Sequence, residues 1–101
     1  MPMSNVVLFP RAAIDPEELA ILAVNYIAID EERLGRFLAH SGLDPAEIRA
    51  AADQPGFMLG VLDYVAGDER LVVDLAEHVG IRPEAVERAR QAMAPRQEEF
   101  A

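Results

Sequence analysis

The side chains best suited to chemistry are His40 and His78, each two residues before a glycine, Gly42 and Gly80. A matched pair of imidazoles could ligate a metal or act as a proton switch. A zinc centre needs three or four converging ligands, however. This chain has no cysteine and no pair of histidines at helical i, i+4 spacing. A histidine in the last turn of a helix has a simpler use, contacting the unpaired terminal carbonyls and, when protonated, complementing the negative dipole end. Tyr26 and Tyr64 are matched in the same way, and the expectation is an apolar ring in the core with its hydroxyl on a polar partner. Ser4 and Ser41 are the only hydroxyl side chains besides the tyrosines, and neither has a marked base beside it. Most acids fall where helices start, and no two carboxylates stand out as a general acid and base. No phosphate loop or dinucleotide fingerprint occurs. The expectation is a protein that is not an enzyme, with no catalytic residue, cofactor or metal.

One further pattern carries a recognisable geometry. Leu75-Ala76-Glu77-His78-Val79-Gly80-Ile81, followed by Pro83 and Val86, has the spacing of a helix-turn-helix. In such a unit a small residue four before the turn glycine lets two helices cross closely. Leu38, Gly42, Leu43 and Ile48 repeat the pattern in part. A DNA-reading role would put Glu84 to Met93 in the major groove, where Glu84 and Glu87 would face the phosphates and only Arg82, Arg88 and Arg90 would attract them. The same spacing also serves plain packing of two short helices around a tight turn, which is the preferred account.

These residues need helices to position them, and the sequence marks where the helices begin and end. Asp15-Pro16-Glu17-Glu18 supplies an N-cap acceptor, a proline at N1 and two acids at the positive dipole end. The helix it starts runs from Leu19 to Ile29, apolar nearly all round, and is expected to be the most buried. Asp30-Glu31-Glu32 starts a second helix with Leu34, Phe37 and Leu38 on its inner face, ended by Gly42. Asp44-Pro45 starts a short third helix toward Ala52. After the break Asp53-Gln54-Pro55-Gly56, a helix carrying Phe57, Leu59, Val61, Leu62 and Val65 runs to Gly67. Asp68-Glu69 caps the next, with Leu71, Val72, Leu75, Ala76 and Val79 inward and Gly80 at its end. Pro83 starts the last helix, carrying Val86, Ala89 and Met93, and Pro95 stops it. Truncating a capping side chain of this kind costs ~1 kcal/mol.

The order of these signals repeats at an offset of 38 residues: Tyr26 returns as Tyr64, His40 as His78, Gly42 as Gly80 and Pro45 as Pro83. The expected fold is therefore all-α, a compact bundle of about five to six short helices in two tandem three-helix units. Residues 1–14 are expected to form a flexible arm, 15–94 one helical domain with units 15–52 and 53–94, and 95–101 a flexible tail. Val6 to Phe9 is the only strand-like run and is too short and isolated for a sheet.

Composition bounds the function. The chain of 101 residues has room for one modest core, and its 51% hydrophobic and 27% charged content is globular. Its longest apolar run falls short of the ~20 residues a bilayer requires. The first ten residues lack a charged start and a sustained apolar stretch, so no signal peptide is expected. The net charge is −9 and every basic residue is arginine. Such a surface repels phosphate backbones and anionic membranes and suits a basic partner.

Several segments taken together resemble a known family: Leu34-Gly35-Arg36-Phe37-Leu38, Ser41-Gly42-Leu43-Asp44-Pro45, Gln54-Pro55-Gly56-Phe57, Val61-Leu62-Asp63-Tyr64 and Asp68-Glu69. They are similar to a small alphaproteobacterial family catalogued as domain of unknown function 3572, over about Leu19 to Met93. The resemblance implies a cytoplasmic, bacterial, helical protein with no assigned activity, cofactor or site, and a loose link to response-regulator genes that would make it an accessory of signalling.

The leading expectation is a protein-interaction or adaptor module that binds an unidentified protein partner between its two units. Nucleic acid is disfavoured as a partner, a membrane is not expected, and a homodimer is open through Phe57, Met58 or Val6 to Phe9. Because the repeated positions serve folding, partner binding is expected where the copies differ, at Arg36 against Asp74 and at Arg82, or at the apolar Phe57. The alternative is the helix-turn-helix DNA binder.

Overall fold

A computed structural model describes residues 13–54 and 56–94. Residues 1–12 of the expected arm, with Val6 to Phe9, as well as Pro55 and the tail from Pro95, lie outside the described residues, whereas Ile14, the last residue of that expected arm, is half-buried against the core. The described residues form six α-helices: α1 (Pro16–Ala28), α2 (Glu31–Ser41), α3 (Ile48–Ala51), α4 (Phe57–Ala66), α5 (Glu69–Val79) and α6 (Glu84–Met93). No strand occurs among the described residues, so the all-α expectation holds.

The helix boundaries follow from local chemistry. Asp15 accepts the N–H of Glu18 at 3.1 Å and so caps α1, with Pro16 at its first position. Asp30 accepts the N–H groups of Glu32 and Arg33 at 2.8 and 3.3 Å to start α2. Asp68 does the same for α5, from Arg70 and Leu71 at 3.1 and 3.2 Å. Each satisfies donors that a helix start leaves without an internal partner. Gly42 and Gly80 then end α2 and α5 with φ of 77° and 87°, a conformation that costs residues with a Cβ ~1–2 kcal/mol. The third element starts at Asp44-Pro45 and runs to Ala51 as expected, but not as a continuous α-helix. Its first turn, Pro45–Glu47, is a tight 3₁₀ turn, with the Asp44 N–H donating to Glu47 Oε1 at 2.9 Å, and only four α-helical residues follow.

α1 is the hub, packing against α4, α2, α6 and α5, while α4 and α6 pack closely on each other. The core is one cluster drawing on both halves of the chain. Leu19, Ala20, Ala23 and Ile27 of α1 meet Val61, Leu62 and Val65 of α4, Leu75 and Ala76 of α5, and Ala85, Val86 and Ala89 of α6. The alanines let helices approach closely, and the larger side chains fill the space between them. α1 is not buried all round: Ile21 is 50% exposed, and Ile29, the residue that follows the helix, is 70% exposed. Phe37 alone of α2 is buried, so α2 lies on the flank of the bundle. That position opens the space described next.

Candidate functional site

Between α2 and α4 lies a groove of ≈ 550 Å³, the size of an ordinary ligand site. Phe37, His40, Ser41 and Leu43 form one wall; Phe57, Gly60, Val61, Asp63, Tyr64 and Gly67 form the other, and Asp68 closes one end. Both helices pack on α1, and neither fills the gap on its outer side. Gly60, Asp63, Tyr64 and Gly67 stand at i, i+3, i+4 and i+7 and so share one face of α4. A Cβ placed on Gly60 would meet nothing within 4 Å, which makes this helical glycine an open floor.

The groove is apolar at its base and anionic at its rim. The edge of the Phe37 ring packs on Tyr64, with centroids 5.1 Å apart and planes at 77°. Among the described residues no arginine lines it, whereas Asp63 and Asp68 do. Asp63 accepts from Arg90 Nη1 at 3.2 Å and keeps 54% of its side chain exposed. Arg90 also donates from Nε and Nη2 to Glu87 at 3.0 and 2.6 Å. That forked bond holds the Glu87 carboxyl below the usual carboxylate range, and its acceptors push the Arg90 guanidinium upward. Arg90 is thereby committed to two carboxylates.

The histidines and tyrosines form an arrangement that periodicity does not reveal. Tyr26 packs against His78 with ring centroids 4.8 Å apart, and Tyr64 against His40 at 5.1 Å. Each tyrosine meets the histidine of the other half of the chain. His40 and His78 do occupy the last turns of α2 and α5. Their recorded contacts are with rings, and both tyrosines are half-buried at the core's edge rather than inside it. Among the described residues, no group of three His, Asp or Glu side chains gathers as a metal would require.

Arg36 and Asp74 both line a smaller, charged cleft of ≈ 200 Å³ between α2 and α5. Arg36 reaches Glu32 at 3.7 Å, both side chains being well exposed. Tyr64 and Asp68 line this cleft as well as the groove, so they form the ridge between the two. Phe57 is half-buried in the groove wall and also borders a shallow hollow with Ile21, Val24 and Met58. Arg82 lines neither cleft; it is exposed in the turn between α5 and α6, where its carbonyl accepts the Ala85 N–H at 2.9 Å.

Sequence reasoning missed Arg33. It donates from Nε and Nη2 to the Tyr26 carbonyl at 3.2 and 2.9 Å, pairs with Asp30 at 3.3 Å, and sits 3.9 Å over the Tyr26 ring. At the α5–α6 junction, the Gly80 and Ile81 N–H groups both donate to the Ala76 carbonyl at 2.8 and 3.0 Å, and Ile81 and Val86 are buried. The residues of the helix-turn-helix spacing thus pack a tight turn against the core. No helix among the described residues is long and apolar enough to cross a membrane.

A comparison with curated proteins returns no match. A comparison with solved structures returns none either. The family model described as "Protein of unknown function (DUF3572)" matches residues 13–96, nearly all of the helical domain, and the chain belongs to that family.

Proposed function

We propose that this protein is a non-catalytic protein-interaction module, an adaptor that seats a segment of a partner protein in the groove between α2 and α4. The observation that carries this reading is the groove itself: an open apolar trough walled by Phe37, Phe57, Val61 and Tyr64, with Gly60 as its floor. A folded domain gains nothing in stability from leaving such a surface wet, and exposed apolar troughs of this kind mark binding sites. The DNA-binding alternative finds less support in α6, where Arg90 is held by Glu87 and Asp63 and the exposed Glu84 stands at the helix start.

Gly60 supplies the test. Its position is helical and open, so Gly60→Phe fills the groove without opposing the backbone, while Gly60→Ala leaves it nearly clear. Wild-type protein and both variants, with an acidic helical control of matched charge, are used to capture proteins from the native lysate. The expected result is a protein retained by wild type and Gly60→Ala, and lost by Gly60→Phe. Enrichment of nothing over the control, or equal retention by Gly60→Phe, would overturn the proposal.

A further inference from the structure

We infer that the groove's occupant is an amphipathic helix of a different protein, with an apolar ridge flanked by arginine or lysine. This inference rests on the docking role proposed above and adds the chemistry of the partner.

Three observations carry it. The first concerns hydrogen bonds. The groove walls are mainly helices, whose mid-helix backbone groups are bonded internally, and no strand among the described residues lines it to pair with an extended segment. A segment entering this apolar trough must satisfy its own backbone groups, and a helix does so. The open face of α4, from Gly60 through Tyr64 to Gly67, spans two turns and offers the length of contact that an i, i+3, i+4, i+7 ridge needs.

The second observation is charge. Asp63, half-exposed beside its bond to Arg90, and Asp68 line the groove, and no arginine does among the described residues. The ends of α2 and α4, at Ser41 and Gly67, open onto it, but so does the uncapped start of α4 at Phe57, so the helix dipoles offset one another and the carboxylates carry the negative charge. The positive end of α5 is already covered by the Asp68 carboxylate. Cations flanking the incoming ridge would therefore meet complementary charge at Asp63 and Asp68.

The third observation excludes a second copy as the preferred occupant. Each chain carries a net charge of −9, so self-association would bring two acidic surfaces together against their repulsion.

Binding is measured by fluorescence anisotropy with three fluorescein-labelled synthetic amphipathic peptides of about 16 residues, long enough to populate a helix. They share one Leu/Phe ridge and differ only in carrying Arg, Gln or Glu at the flanking positions. The Arg peptide is expected to bind about tenfold more tightly than the Gln peptide, the sum of two partly exposed ion pairs. The preference should shrink as salt is raised. Gly60→Phe should abolish binding of all three. In the double variant Asp63→Asn, Asp68→Asn, the preference for Arg should vanish while the fold persists. Asn caps a helix as well as Asp does, and Glu87 still holds Arg90.

If the Gln peptide binds as tightly as the Arg peptide and Gly60→Phe still abolishes both, the basic-partner inference falls and the groove reading stands. If no peptide binds, or the Arg peptide binds Gly60→Phe unchanged, both fall. A concentration-dependent dimer seen by sedimentation and removed by Gly60→Phe would assign the groove to a second copy instead.

Discussion

Arg33 shows how much one side chain can fasten. Its guanidinium bonds the Tyr26 carbonyl near the end of α1, pairs with the Asp30 carboxylate that caps α2, and covers the Tyr26 ring. A planar fork can do all three at once, and a lysine ammonium cannot. Arg33→Lys keeps the charge and loses the fork. With a quarter of the side chain exposed, the expected cost is about 1 kcal/mol, discounted from the larger value of a fully buried charged bond. Urea unfolding should show a lower midpoint with an unchanged slope. An unchanged midpoint would mean that charge alone suffices at this corner. Nothing in the sequence marks Arg33, because its main acceptor is a carbonyl seven positions back across a helix break. Asp63 and Arg90 lie 27 positions apart and escape notice for the same reason. Side chains that serve their own helix end could be read from order; those that reach another element could not.

Among the elements, α2 and α5 were the most legible, since an aspartate at the start and a glycine at the end act within one turn. The third helix was less so, because proline and an aspartate announce a helix start without fixing whether its first turn is α or 3₁₀. The groove was invisible: Phe57 was singled out for its apolarity, but Gly60 gains meaning only once α2 is seen to stand off from α4. Arg36 and Asp74, picked because they differ between the copies, do share a cleft, whereas Arg82 stands apart from it. The α2 cap carries a pH dependence. Hydrogen bonds from the Glu32 and Arg33 N–H groups, aided by the Arg33 and Arg36 charges, hold the Asp30 carboxyl below its ordinary 3.8. A lowered carboxylate contributes stability that is complete above the unfolded value and is lost as pH falls through the folded one. Asp30→Asn keeps a cap but does not titrate. The stability advantage of wild type over Asp30→Asn should thus be constant near about pH 6 and shrink toward about pH 3. Denaturant titrations at both values check this, and an advantage that grows on acidification would contradict the assignment.

The whole molecule depends on one core shared by α1, α4, α5 and α6, with Leu62 fully enclosed at its centre. Leu62→Ala should cost about 2–5 kcal/mol, because the surrounding helices cannot close completely over the space left behind. Ile29→Ala, at a position 70% exposed, should stay within about 0.5 kcal/mol of wild type. Equal effects in thermal or urea unfolding would place the core elsewhere. The crosswise pairing of Tyr26 with His78 and Tyr64 with His40 has a consequence for the chain as it is made. When synthesis has reached Ala52, Tyr26 still lacks its ring partner, and α1, the helix everything else packs on, still lacks α4 and α6. The nascent first half therefore leaves the ribosome with its stickiest surface bare. It can close the Arg33 corner but completes neither ring pair nor the core by itself, and the interval before Met93 emerges is when this protein most needs protection from aggregation.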